Sequence, residues 1–279
     1  NIVLNAANGK IEKLEWQVPE APRFFEAMVR GRSYEDIQTI VSRICGICSI
    51  THSLVATKAV ENATGIQVSE QADKVRILMH YSEQLQSHVL HVGYLVAPDL
   101  FGLPSVVPLA AKAPEAVMAV IRLHRLANEW SDLIAGRTTH PVTLKPGGLT
   151  KFPTEKELRE LQERLKNCVG DLKAVAQAVL SVAGNLPNFT RETEYVSLKQ
   201  DNPPTYTFYH GDITSTTENP LCRIASSSTL ANCCTWYGVV RATNEAPAAV
   251  ANDTTSNSRS ILLYGAVVAT VPKLDNGEY

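Results

Sequence analysis

Arg43-Ile44-Cys45-Gly46-Ile47-Cys48-Ser49-Ile50-Thr51-His52 is the stretch on which the rest of the chain turns. Two thiols stand three positions apart, and in a turn or a first helical turn that spacing aims both sulfurs at one point. Gly46 between them has no Cβ, so the backbone can bend tightly and leave room for a bulky centre. Thiolates are soft ligands, suited to nickel, low-spin iron, zinc or iron–sulfur clusters. A pair of this kind also reads as a redox dithiol or as half of a zinc site. A thioredoxin-like dithiol calls for a preceding strand and a nearby proline or aromatic residue, and neither is legible here. A zinc site calls for two more ligands at similar spacing, and the chain has no second CxxC and no HxxxH.

Downstream of the dithiol, apolar residues recur at helical spacing from Thr51 to Asn62 and stop at Thr64-Gly65, a helix end. A long helix is predicted from Ser69 to about Ala97, with Val75, Leu78, Met79, Leu85, Val89 and Val92 as its stripe. It carries Ser87-His88-Val89-Leu90-His91, whose histidines share a face and read either as a metal pair or as a packing and hydrogen-bonding pair. Pro104 and Pro108 mark a loop. Pro114 suits the first position of a helix running to about Ala135. Gly136-Arg137-Thr138-Thr139-His140-Pro141 and Pro146-Gly147-Gly148 then fix the path of a loop. Thr154 and Glu157 form a capping box at the head of an amphipathic helix, Glu155 to Ala183, striped by Leu158, Leu161, Leu165, Val169, Leu172, Val175 and Val179. Cys168 lies off this pattern and reads as an inert small residue.

Upstream, Asn8-Gly9 is a hairpin turn between Ile2–Asn5 and Lys10–Val18. Pro22-Arg23-Phe24-Phe25-Glu26 opens a helix. Glu26 reads either as a first-turn glutamate favoured by the helix dipole or as a hard oxygen ligand for a hard cation. The expected fold is mainly α with a small antiparallel β-sheet (α+β), in one domain over 1–279. Residues 1–20 supply the hairpin, 21–212 the helical core with the dithiol, and 213–279 a divergent part.

RxCGxCxxxH, from Arg43 to His52, resembles the N-terminal metal motif of NiFe hydrogenase large subunits. Gly136 to Gly148 resembles a second motif of that family, GRxxHPxxxxPGG, which walls its active site. Pro203-Pro204 and Tyr206 to Asp212 still resemble a family loop and strand, and beyond Asp212 the resemblance thins. It implies a long-helix bundle of the hydrogenase large-subunit type that cleaves H₂ to protons and electrons or runs the reverse. It implies Cys45 as a terminal nickel thiolate, Cys48 as a bridge between nickel and iron, and His52 as a hydrogen-bonding partner of the bridging sulfur. Glu26, nineteen positions before Cys45, matches the glutamate that binds a structural magnesium ion. The implied cofactors are a Ni–Fe centre with diatomic ligands on iron, Mg²⁺, and Fe–S clusters in a partner small subunit. Further flavin or Fe–S electron-transfer subunits are implied by the motif variants, which look closest to cytoplasmic hydrogenases that reduce soluble carriers.

Two family features are not found in this sequence: the closing Asp-Pro-Cys-x-x-Cys-x-x-His, and the glutamate motif that precedes the hairpin. Ala248 stands where the family often has arginine after Glu-Ala-Pro, and adjacent Cys233 and Cys234 cannot converge on two metals as a CxxC pair does. A hydrogenase-like structural or quinone-site subunit of a complex I-like assembly is therefore an alternative, and a plain zinc protein another. Composition excludes other classes. A net charge of −2 gives no footprint for nucleic acid or an acidic membrane surface. Six unevenly placed cysteines do not read as a secreted disulfide framework, so a reducing, cytoplasmic setting is expected. No signal peptide is legible, and no apolar run reaches membrane-spanning length.

Overall fold

Helix α3, Ser49–Thr64, starts directly at the dithiol and is buried on nearly every side. A helix of apolar and small residues all round belongs inside a protein, where a stripe would mark a surface helix. The structure, a computed structural model, describes residues 1–17, 22–186, 196–199, 209–210, 212–215, 240–243, 258–263 and 267–272. Ile50 and Leu54 of α3 enter one apolar core together with Met79, Leu123, Trp130, Leu144 and Leu149. Val55, Ala56, Ala59, Val60 and Ala63 enter a second with Val29, Ile37 and Val41. Each fully buried aliphatic side chain of this kind contributes ~1.5–3 kcal/mol, so α3 is anchored from both sides. Gly65 ends it in the left-handed conformation (φ 74°), its N–H returning to Glu61 O.

The second core is closed by α1, Pro22–Val29, and α2, Tyr34–Val41. The first lies between α3, α4 (Glu70–Leu90) and α7 (Pro114–Ala135), with α4 packed along α7 on one side and against α3 on the other. Ser69 caps α4 by accepting from Ala72 N–H. The hairpin forms as its turn residues dictate. Strands β1, Ile2–Ala7, and β2, Lys10–Trp16, are antiparallel with a bulge between Asn5 and Ala6. Asn8 and Gly9 both take positive φ, 52° and 73°. Three further antiparallel sheets follow among the described residues: β3 (Leu144–Lys145) with β4 (Gly148–Leu149), β5 (Val196–Lys199) with β6 (Asp212–Ser215), and β7 (Val240–Thr243), β8 (Ser258–Leu263) and β9 (Val267–Pro272) in that order. The fold is mainly helical with small antiparallel sheets, and it has more strand than the opening hairpin alone. No described helix is long and apolar enough to cross a membrane.

Three expectations are corrected. The helix from Ser69 does not run regularly to Ala97, because it widens into a π-helical turn over His91–Val96 before α5, Ala97–Leu100. That turn sets Gly93 against α7, where an added Cβ would lie 2.4 Å from Val120 Cγ1. The Pro104–Pro108 region is not all loop. Helix α6, Val106–Lys112, includes Pro108 in its first turn, where the missing N–H costs nothing. The helix after Thr154 breaks in two, α8 (Glu155–Asn167) and α9 (Val169–Leu180), hinged at Cys168. Cys168 then takes the core position after Leu161 and Leu165, while Val169 and Leu172 turn outward. It does behave as a small buried hydrophobe, and burial raises its thiol pKa. The capping box at Thr154 and Glu157 is formed.

Candidate metal centre

Cys45 ends a 3₁₀ turn, Ser42–Ile44, with extended backbone (φ −141°, ψ 136°), and Cys48 begins α3. The chain reverses between them, and Cys48 N–H donates to Cys45 Sγ at 3.2 Å. Both thiols are free and half-buried. Nothing lies within 4 Å of a Cβ built on Gly46, so the space over the turn is open. Burial first, then the Cys45 thiol beside it and the Glu83 carboxylate, hold the Cys48 thiol above its ordinary pKa. A soft cation would reverse that balance, since metal binding favours the thiolate.

His52 stands one turn into α3, its N–H returning to Cys48 O at 3.1 Å. Its imidazole is pushed below its ordinary pKa by burial and is neutral at pH 7. The Gly136–Gly148 loop closes over the same turn from outside. His140 N–H donates to Ser49 Oγ (2.8 Å), and its Nδ1–H donates to Ser42 O (2.9 Å). One residue therefore grips the chain on both sides of the dithiol, and it does so in a left-handed conformation (φ 60°) that costs a non-glycine residue about 1–2 kcal/mol. Further along, Gly147 N–H donates to Glu61 Oε1 (2.7 Å), which also receives Arg76 Nη2 (2.6 Å) in a buried ion pair.

Glu83 of α4 is the residue that sequence reasoning missed. It is 2% exposed and accepts from Ile50 N–H (2.7 Å), Thr51 N–H (2.9 Å) and the Thr51 hydroxyl. Burial pushes its carboxyl up to about 7, against the pull of those three bonds. Behind it His80 Nδ1 lies 3.4 Å from Thr51 Oγ1. One signal existed in the sequence. Glu83 falls on the stripe Ala72, Val75, Met79, Gln86 that the helical repeat sends inward, and a carboxylate there needs a partner.

The other candidates lie elsewhere. Glu26 sits half-buried in α1, and among the described residues no group of three or more His, Cys, Asp or Glu is gathered for a metal ion. His88 and His91 are exposed, so they do not pack inside. His88 does hydrogen-bond, through Nδ1 to Gln84 O at 2.7 Å. Pro203 to Phe208, Cys233, Cys234 and Ala248 lie outside the described residues.

A free dithiol at the start of a buried helix, walled by a Gly/Pro loop on a long-helix scaffold, offers two soft donors for a metal ion. The nickel-dependent hydrogenase family model matches residues 23–122, a region that holds the whole dithiol motif. Sulfhydrogenase 2 subunit alpha of Pyrococcus furiosus is 36% identical over 162 residues, 58% of this chain and 39% of the relative. NAD-reducing hydrogenase HoxS subunit beta of Cupriavidus necator is 33% identical over 140 residues, 46% of this chain and 29% of the relative. Among solved structures, that of an NAD⁺-reducing NiFe hydrogenase in the H₂-reduced state superposes with a TM-score of 0.66 at 30% identity, covering 74% of this chain and 48% of that one. The chain spans under half the length of these relatives.

Proposed function

We propose that this chain is the dithiol-bearing part of a NiFe hydrogenase large subunit, working with partner subunits in H₂ oxidation or proton reduction. The observation that carries the reading is the free Cys45–Cys48 pair, half-buried beneath open space inside the family-matched region. Two soft donors at one point fit half of a four-thiolate set. Cys45 would be a terminal nickel ligand, and Cys48 would be shared between nickel and iron. A nickel–iron pair, when bound, supplies the Lewis acidity that polarises H₂ and takes up its electrons. The chain's own residues do the rest. The thiolates hold the site, neutral His52 orients the Cys48 sulfur, and the His140 loop keeps water from one side. Each H₂ yields two protons, which pass to a thiolate or a nearby acid, and two electrons, which leave for Fe–S clusters in a small subunit and on to flavin or further Fe–S subunits. Glu26 would hold Mg²⁺ through its carboxylate. A cytoplasmic setting suits free thiols. Retention of both thiols argues against a metal-free, complex I-like structural subunit.

Metal analysis of the assembled complex tests this. The parent should carry nickel and iron, Cys45→Ser should lose nickel, and Cys48→Ser should lose both, because a hydroxyl is a poor soft-metal ligand. Zinc alone in the parent, or unchanged nickel and iron in both variants, would sink the assignment.

A further inference from the structure

The first four N–H groups of a helix lack partners within it, and a side chain at the N-cap ordinarily takes one or two of them. Three helices here follow that rule. Ser33, Ser69 and Thr154 have extended backbones and accept from Glu35, Ala72 and Glu157 N–H at the starts of α2, α4 and α8. Helix α3 does not. Its N-cap is Cys48, whose backbone (φ −108°, ψ 28°) departs from the extended geometry and whose side chain makes no cap bond. Sulfur is in any case a weak acceptor.

The amides that an N-cap side chain would serve are those of Ile50 and Thr51. Both go to Glu83 of α4, one to each carboxylate oxygen, with the Thr51 hydroxyl as a third donor. Charge-assisted bonds of this kind are the strong ones, and the positive end of the helix dipole favours a carboxylate at this place. Together they act against the desolvation of a buried charge. The cap is thus delivered from another helix, more than thirty positions away in sequence.

We infer that Glu83 is a positioning residue for the dithiol: it caps α3 in place of Cys48 and so leaves the Cys48 sulfur uncommitted and aimed for metal. The inference rests on the metal-binding reading of the dithiol. The carboxylate fixes the first turn of α3 from the α4 side, as His140 fixes it through Ser49 from the loop side. With both grips in place the Cys48 Cα has little freedom, and the direction of its sulfur follows.

The test uses the assembled protein with Glu83→Gln, Glu83→Asp and Thr51→Val. Amide hydrogen exchange at Ile50 and Thr51 is read in metal-free protein. Nickel retained under chelator, with its thiolate-to-nickel charge-transfer absorption, is read in loaded protein. Glutamine accepts at one oxygen and presents N–H to the other donor. Glu83→Gln should therefore speed exchange at these two amides roughly tenfold or more, leave the amides of α7 as in the parent, and weaken nickel retention with an altered charge-transfer band. Thr51→Val keeps both amide bonds and should retain nickel and its band. Should Glu83→Gln fail to fold, Glu83→Asp carries the test, with faster exchange at the same two amides. Parent-like exchange in the folded Glu83 variants overturns the inference, as does an unchanged charge-transfer band or equal nickel loss in Thr51→Val. A parent without nickel and iron defeats the hydrogenase reading, and the exchange data then decide the cap alone.

Discussion

Burial holds the His52 imidazole below its ordinary pKa, so it carries a single N–H to give. In the role proposed for it, His52 would give that N–H to the Cys48 sulfur. His52→Ala should keep nickel and iron bound and lower turnover about 10–100-fold, the range for groups that orient metal ligands. Metal content and H₂-dependent dye reduction on the same preparation check this, and loss of metal would make His52 a ligand itself. Cys45, Cys48 and His52 were legible in the sequence because they are contiguous, and local spacing alone places them together. Glu83 and the His140 grip were not, because their bonds join positions 32 to 98 residues apart. Only the fold brings such residues face to face.

At the level of elements, the π-helical turn His91–Val96 is held by its fit against α7. Gly93→Ala sets a methyl into Val120, and overpacking of this sort costs about 1–3 kcal/mol. Urea unfolding should show that loss, and Val120→Ala in the same chain should recover part of it. A Gly93→Ala protein as stable as the parent would mean that the turn relaxes freely. The elements read correctly in advance are those with local chemistry at their ends: Asn8-Gly9 for the hairpin, Gly65 for the end of α3, Thr154 and Glu157 for the start of α8. The breaks at His91 and Cys168 escaped, because an unbroken apolar repeat runs through both and packing against α7 decides them. The ladders after β4 escaped for a related reason, since strand pairing depends on a partner that no local signal names.

Across the described residues, polar pairs tie distant segments to the two central helices. Arg76 pairs with Glu61 and also donates to Lys145 O and Gly148 O, so the wall loop is fastened to α3 and α4 at once. His210 pairs with Asp73 of α4 at 2.8 Å. Burial raises the Asp73 carboxyl, but the His210 bond and charge, with Lys58 and Arg76 close by, outweigh it and hold the group below its ordinary value. A depressed carboxyl stabilises the fold above the ordinary Asp range, and that contribution is lost as pH falls through the folded-state pKa. Asp73→Asn should lower the urea midpoint at about pH 6, and the gap should close as pH falls below the ordinary Asp pKa of about 3.9 and through the lower folded-state value. A gap that persists in acid would assign the loss to packing instead. The Lys58 ammonium of α3, buried, donates to Tyr209 O at 2.8 Å across 151 residues of chain. A ribosome adds ~5–20 residues per second, so the helix is made on the order of ten seconds before the carbonyl that seals it. Any nascent product that stalls short of Tyr209 keeps its central helix without this lid, and quality-control proteases should clear it ahead of the longer chain.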